Sequence, residues 1–143
     1  MKIKTILLIF LIFLGVMCSL SCKKDSSNSG TSSSSITVKY EVTWSAPLYQ
    51  NVNDNYMDYT IPTGTFNEID HNVSGTSWTK TLMVPHPGTI TIVMFEAALE
   101  LQQQGTCDVK IYANGTLEAE NRSTGIFNGN VYVIDTNASW VIQ

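Results

Sequence analysis

The chain has 143 residues, 43% of them hydrophobic and 14% charged, with a formal net charge of −4. Within residues 36–143, four basic side chains (Lys39, Lys80, Lys110, Arg122) stand against eleven acidic ones, a net of −7. Nucleic acid requires a cationic footprint that so acidic a body lacks, and that class of partner is excluded.

Lys2 and Lys4 precede an almost unbroken apolar run over residues 6–16, which leads to Ser21 and Cys22. Lys23, Lys24 and Asp25 then open a polar tract of thirteen residues, 23–35, that holds seven serines. Basic, apolar, small residue, cysteine, polar is the order of a secretory signal whose cleavage exposes a cysteine for lipid attachment. The segment resembles a bacterial lipoprotein precursor. One departure stands out: such precursors carry a branched apolar residue three places before the cysteine, where this chain has Ser19, with Leu20 one place late. A retained membrane helix, the alternative along with a plain secretory signal, needs about 20 apolar residues, and here Gly15, Cys18, Ser19 and Ser21 interrupt the run. Cys18, behind bulky Met17, is the weaker acceptor.

The expected division is a signal peptide over 1–21, lipidated Cys22 with a flexible linker over 22–35, and one folded domain over 36–143. A diacylglyceryl cysteine brings at least two acyl chains, at about 0.8 kcal/mol per buried CH2, which holds a protein stably on a membrane. A serine-rich linker of this length reaches about 20 Å. The body is therefore expected to float near the bilayer of a cell envelope, on a periplasmic or surface leaflet, without being pressed onto it.

The domain reads as strands. Ile36, Val38, Tyr40, Val42 and Trp44 alternate with Thr37, Lys39, Glu41 and Thr43, the period of two of a half-buried strand. Residues 56–61 continue the pattern, with Met57, Tyr59 and Ile61 on one side and Pro62 as the stop. Residues 66–73 make a weaker strand and 78–84 a better one, halted at Pro85. Residues 89–101 begin with β-branched residues and end in the helix-favouring Glu96-Ala-Ala-Leu-Glu-Leu101; one long strand with a bulge or kink near Glu96 is expected. Two alternating runs flank Asn114-Gly115, the signature of a two-residue hairpin, with Cys107, Val109, Ile111 and Ala113 answered inside by Leu117 and Ala119. Residues 131–134 form a further strand and 140–142 a short edge. About seven strands, frequent turns and no amphipathic helix predict an all-β, antiparallel immunoglobulin-like sandwich.

Sequence patterns of chemistry are sparse. No nucleophile elbow, phosphate loop or His-Glu-x-x-His motif is present, and no cofactor or catalytic residue is expected. With Cys18 removed and Cys22 acylated, only Cys107 remains, which reads as a small buried hydrophobe more readily than as a reactive thiol. His71 and His86 lie in loop-like sequence without spaced partners, which argues against zinc. Asn51, Asn53, Asp54, Asn55 and Asp58 form an oxygen-rich cluster that suits either Ca²⁺ or a polar turn. Glu96 and Glu100 form an acid/base couple only if they share one face; solvent-facing charges are the plainer reading. The candidate binding residues are the aromatics Trp44, Tyr49 and Tyr56, of which Tyr49 falls in a loop after Pro47.

Val38-Lys-Tyr-Glu-Val-Thr43, Trp78 ahead of a Lys-Thr-apolar strand, and Val109-Lys-Ile-Tyr-Ala-Asn-Gly115 make the domain similar to the MmpS-like family, over most of residues 36–134. These are small membrane-associated bacterial proteins, some of them accessories to large exporters. The resemblance implies a β-sandwich and an export-accessory role, and it brings no catalytic residues. This chain departs by carrying a lipidation site in place of a membrane helix, and Val109 where many relatives carry cysteine, with Cys107 two places earlier. Two functions are therefore expected to compete: a lipid-anchored, non-enzymatic module that assists an envelope transport protein, and a surface lipoprotein that binds glycans or other ligands.

Overall fold

The computed structural model describes residues 34–49, 53–62, 67–88, 90 and 92–143. The signal segment, Cys22 and the linker up to residue 33 lie outside the described residues, as do Asn51 and Phe66. Nine strands form among the described residues: β1 (Ser34–Trp44), β2 (Tyr56–Thr60), β3 (Asn67–Asp70), β4 (Ser77–His86), β5 (Ile92–Leu101), β6 (Thr106–Ala113), β7 (Thr116–Thr124), β8 (Ile126–Phe127) and β9 (Tyr132–Val141). They form a four-stranded sheet of order β4-β1-β6-β7 and a five-stranded sheet of order β3-β2-β5-β9-β8, every pairing antiparallel. The fold is an antiparallel β-sandwich, with nine strands where patterning predicts about seven. The run β3-β2-β5-β9 follows the C′-C-F-G order of the immunoglobulin fold, and β4-β1 follows its E-B pair. The place beside β1 that strand A fills in an immunoglobulin domain belongs here to β6 of the β6–β7 hairpin.

Strict alternation explains the layers. In β1, Val38, Tyr40 and Val42 are fully buried and Trp44 is 4% exposed, while the residues between them face outward. In β5, Val93, Phe95, Ala97, Leu99 and Leu101 point inward, and Ile92, Met94, Glu96, Ala98 and Glu100 point away from the core. Tyr40, Tyr59, Phe95 and Trp78 pack as an aromatic cluster across the two sheets, with ring centroids 5.3–5.7 Å apart. Such pairs add about 0.5–1.5 kcal/mol each beyond their buried area. Tyr40 donates its hydroxyl to the Thr60 carbonyl at 2.7 Å, which satisfies the polar end of a side chain sealed in the core.

Five sequence expectations are corrected by this geometry. β1 begins at Ser34, two residues before the strand predicted from Ile36, because Ser34 and Ser35 pair with His86 and Pro85. β4 runs through Pro85 to His86; it is an edge strand, where a missing N–H costs no ladder bond. β5 has no bulge at Glu96: it pairs with β9 residue for residue from Ile92↔Val141 to Leu101↔Tyr132. A sheet with neighbours on both sides outweighs the helix preference of Glu-Ala-Ala-Leu-Glu-Leu. The two segments predicted over 131–134 and 140–142 are one strand, β9, whose middle (Thr136, Ala138) is too small and polar to signal burial.

The fifth correction concerns the hairpin. Asn114 (φ 50°) and Gly115 (φ 84°) form the expected turn. That turn pairs Ala113 with Thr116 and Tyr112 with Leu117, and a register shift between Ile111 and Tyr112 then skips Glu118 and sets Ala119 opposite Ile111. Leu117, opposite outward-facing Tyr112, is therefore turned to solvent, 44% exposed, and the bulge at Glu118 is what brings Ala119 against the core.

Candidate binding cleft

The three candidate aromatics do not converge. Trp44 ends β1 inside the core, and its indole Nε1 finds no hydrogen-bond partner among the described residues. Its ring face is committed to packing and is closed to a ligand. Tyr56 stands on the outer face of the five-stranded sheet, where its hydroxyl donates to Glu96 Oε1 at 3.2 Å and its ring meets His71 edge-on at 6.0 Å. Burial, then the Glu96 carboxylate, raises the Tyr56 phenol above its ordinary range. Glu96 is thus engaged by Tyr56, and Glu100 shares its face of β5 two positions along the same side.

Tyr49 borders a concavity. Together with Pro47, Leu48, Asn55, Val73, Ser74, Gly75 and Thr76 it lines a cleft of about 580 Å³. The backbone there is well fixed: Tyr49 N donates to Glu100 O at 2.7 Å, Gln102 N to Pro47 O at 2.9 Å, and Trp44 N to Thr76 O at 3.0 Å. Asn55, 3% exposed, clamps the loop from within, donating Nδ2 to Tyr49 O at 3.1 Å and accepting at Oδ1 from Glu100 N at 2.8 Å. Tyr49 itself is 48% exposed. The result is a fixed apolar floor with one aromatic face at its rim, suited to an apolar side chain or the face of a sugar ring.

Sequence reasoning singled out Tyr49 and missed Leu48, Val73 and Asn55. Asn55 appeared there only as one oxygen of a possible cation loop, and nothing local marks it as a buried clamp. Among the described residues no group of three or more His, Cys, Asp or Glu side chains is placed to hold a metal ion. Cys107 is fully buried, and burial, followed by the neighbouring Asp108, pushes its thiol up to about 12. Such a thiol stays protonated and unreactive at neutral pH.

On the outer face of the four-stranded sheet, Arg122 forks onto Asp108 through Nε and the second guanidinium nitrogen. Lys39 bonds Glu41 at 2.7 Å while lying 4.2 Å from the Tyr112 ring centre. No protein-family model, no curated protein and no solved structure matches the chain.

Proposed function

We propose that the protein is a lipid-anchored, non-enzymatic module of the bacterial cell envelope that binds and assists a protein partner such as an export complex. Acyl chains on Cys22 hold it to the membrane, and the sandwich is the part that recognises. The observation that carries this reading is the position of the Tyr49 cleft. It lies beyond Trp44, at the end of the sandwich opposite Ser34, where the chain leading from Cys22 joins the body. The similarity to the MmpS-like family supports an exporter as the partner. The sealed Cys107 thiol and the Tyr56–Glu96 contact support a binding role over a catalytic one.

The second reading, a surface lipoprotein that binds glycans, draws on the same half-exposed Tyr49 ring. Pull-down of wild type and Tyr49→Ala from native membranes, followed by mass spectrometry, separates them. A multi-pass transporter captured by wild type and lost with Tyr49→Ala supports the first. Binding on a glycan array that Tyr49→Ala abolishes, with no membrane partner captured, supports the second. Loss of neither with Tyr49→Ala removes the cleft from both.

A further inference from the structure

Half of the large hydrophobic side chains that the described residues expose sit at one end of the sandwich. Met83 (64%), Ile92 (51%), Met94 (52%), Leu117 and Val141 (57%) all belong to it. Pairing fixes their common level. Met83 is opposite Thr37, three residues into β1; Leu117 is opposite Tyr112, which is opposite Lys39; Ile92 is opposite Val141 at the start of β5. The two sheets meet there, because Trp140 and Gln143 border the same surface hollow as Ile36 and Asn114. Met83 and Leu117 rim the outer face of one sheet, and Ile92, Met94 and Val141 that of the other.

The same end is almost free of charge. Residues 34–38 of β1, 81–86 of β4, 92–95 of β5 and 136–141 of β9 contain no Asp, Glu, Lys or Arg. The first charge along β5 is Glu96, four residues from Ile92, or about 13 Å at strand spacing. Lys39, level with Leu117 and paired with Glu41, Glu118 in the β7 bulge, and Glu68 on edge strand β3, within 3.8 Å of Lys80, are the exceptions near this level. In a domain with eleven acidic residues, so deep an uncharged cap needs a cause. Folding does not supply one, since these side chains point away from the core.

The occupant follows from where the chain comes in. The 33 residues ahead of Ser34, with their apolar run and Cys22, join the body at this end. We infer that the sandwich stands end-on in the bilayer surface, with Met83, Ile92, Met94, Leu117 and Val141 dipping into the boundary between headgroups and acyl chains. A body in that position penetrates about 5–10 Å, less than the depth of the uncharged cap. This reverses the expectation that the domain floats clear of the membrane, and it rests on the lipid-anchor reading above.

The test uses the full lipidated chain in vesicles of phosphatidylethanolamine and phosphatidylglycerol carrying doxyl lipids. An environment-sensitive fluorophore is placed on Met83→Cys, Met94→Cys or Ile126→Cys, the last an exposed site at the opposite end. Strong lipid quenching at positions 83 and 94, with little at 126, is the expected result, and Ile92→Glu should abolish it at 94 while the protein still floats with the vesicles. Flotation with equal or no quenching at the three sites overturns the docking and leaves the anchor standing. Quenching at 94 without 83 also overturns it, because the body would then lie on one sheet face. Shielding from an aqueous quencher without lipid quenching assigns the end to a protein partner or a second copy. If the chain fails to float, and Cys22→Ser behaves identically, the anchor itself falls.

Discussion

The two ends of this sandwich share most of their strands and both expose apolar side chains, yet they differ in charge. At the Ser34 end the outward positions are Met83, Ile92, Met94 and Val141; at the other end β5 and β9 turn out Glu100, Val133 and Asp135, β6 adds Asp108, β8 exposes Ile126 and Phe127, and the loops form the Tyr49 cleft. Inward positions show no such change, running from Val38 to Trp44 in β1 and from Val93 to Leu101 in β5 as one continuous core. The contrast separates two demands on a strand. Alternation decides which side faces the core, whereas the outer side is free to vary along its length, and there the environment of each end is written.

The most severe way to break this comparison is to attack what both ends share. Phe95 is 1% exposed and packs against Tyr40 and Trp78, so Phe95→Ala should cost about 3–5 kcal/mol in urea unfolding. Its neighbour Met94 points outward, and Met94→Ser should stay within about 0.5 kcal/mol. Equal losses at the two sites would mean that the exposed end residues are part of the fold's stability, and the case for an external occupant would weaken.

The next effect sharpens the picture at the cleft. Asn55→Ala leaves Tyr49 O and Glu100 N without their buried partner, at a cost of about 1–3 kcal/mol. Tyr49→Ala, at a half-exposed ring, should leave stability unchanged within about 0.5 kcal/mol while removing whatever binds the cleft. A capture assay beside the unfolding curve checks both. At the Ser34 end the comparable test is Gly115→Val. A φ of 84° suits glycine and strains a branched residue by about 1–2 kcal/mol, readable as a lower unfolding midpoint.

How much of this was legible beforehand follows from the same separation. The layers of β1, the hairpin at Asn114-Gly115 and the sandwich itself could be read because a strict period of two and a positive-φ turn pair leave local traces. β9 could not be read whole, since Thr136 and Ala138 are buried without being strongly apolar. Leu117 was assigned to the wrong face because the two-residue turn sets it opposite outward-facing Tyr112, and only the extra residue, Glu118, brings Ala119 to the inner side beyond it. At the candidate site, Tyr49 was recognisable as a loop aromatic. Trp44 and Tyr56 share its chemistry, but the pairing of strands sends one to the core and the other to Glu96. The uncharged cap is assembled from four strands far apart in the chain, and no window of sequence contains it.

The smallest expected effect is the one that best distinguishes the ends, because charge is concentrated toward one of them. Asp108, opposite Thr43 and Arg122 near the cleft end, has its carboxyl held below the usual carboxylate range by the guanidinium of Arg122. The folded protein therefore keeps this carboxylate ionised at a pH where the unfolded chain, near about 3.9, begins to take up a proton. The stabilisation is complete above the unfolded value and is lost as pH falls through the lowered folded one. Arg122 is 67% exposed, so solvent screening keeps the effect small. Asp58, raised by burial on the other sheet, acts in the opposite sense: its contribution is present at low pH and is lost as pH rises. Asp108→Asn should accordingly flatten the acid limb of the stability profile by lowering its neutral plateau slightly, and leave the acid end nearly untouched. Amide hydrogen exchange in acid should loosen β6 and β7 near Asp108 and Arg122 before residues 34–38 and 81–86, which have no Asp, Glu, Lys or Arg of their own; simultaneous loosening would show that charge segregation along the strands has no energetic consequence.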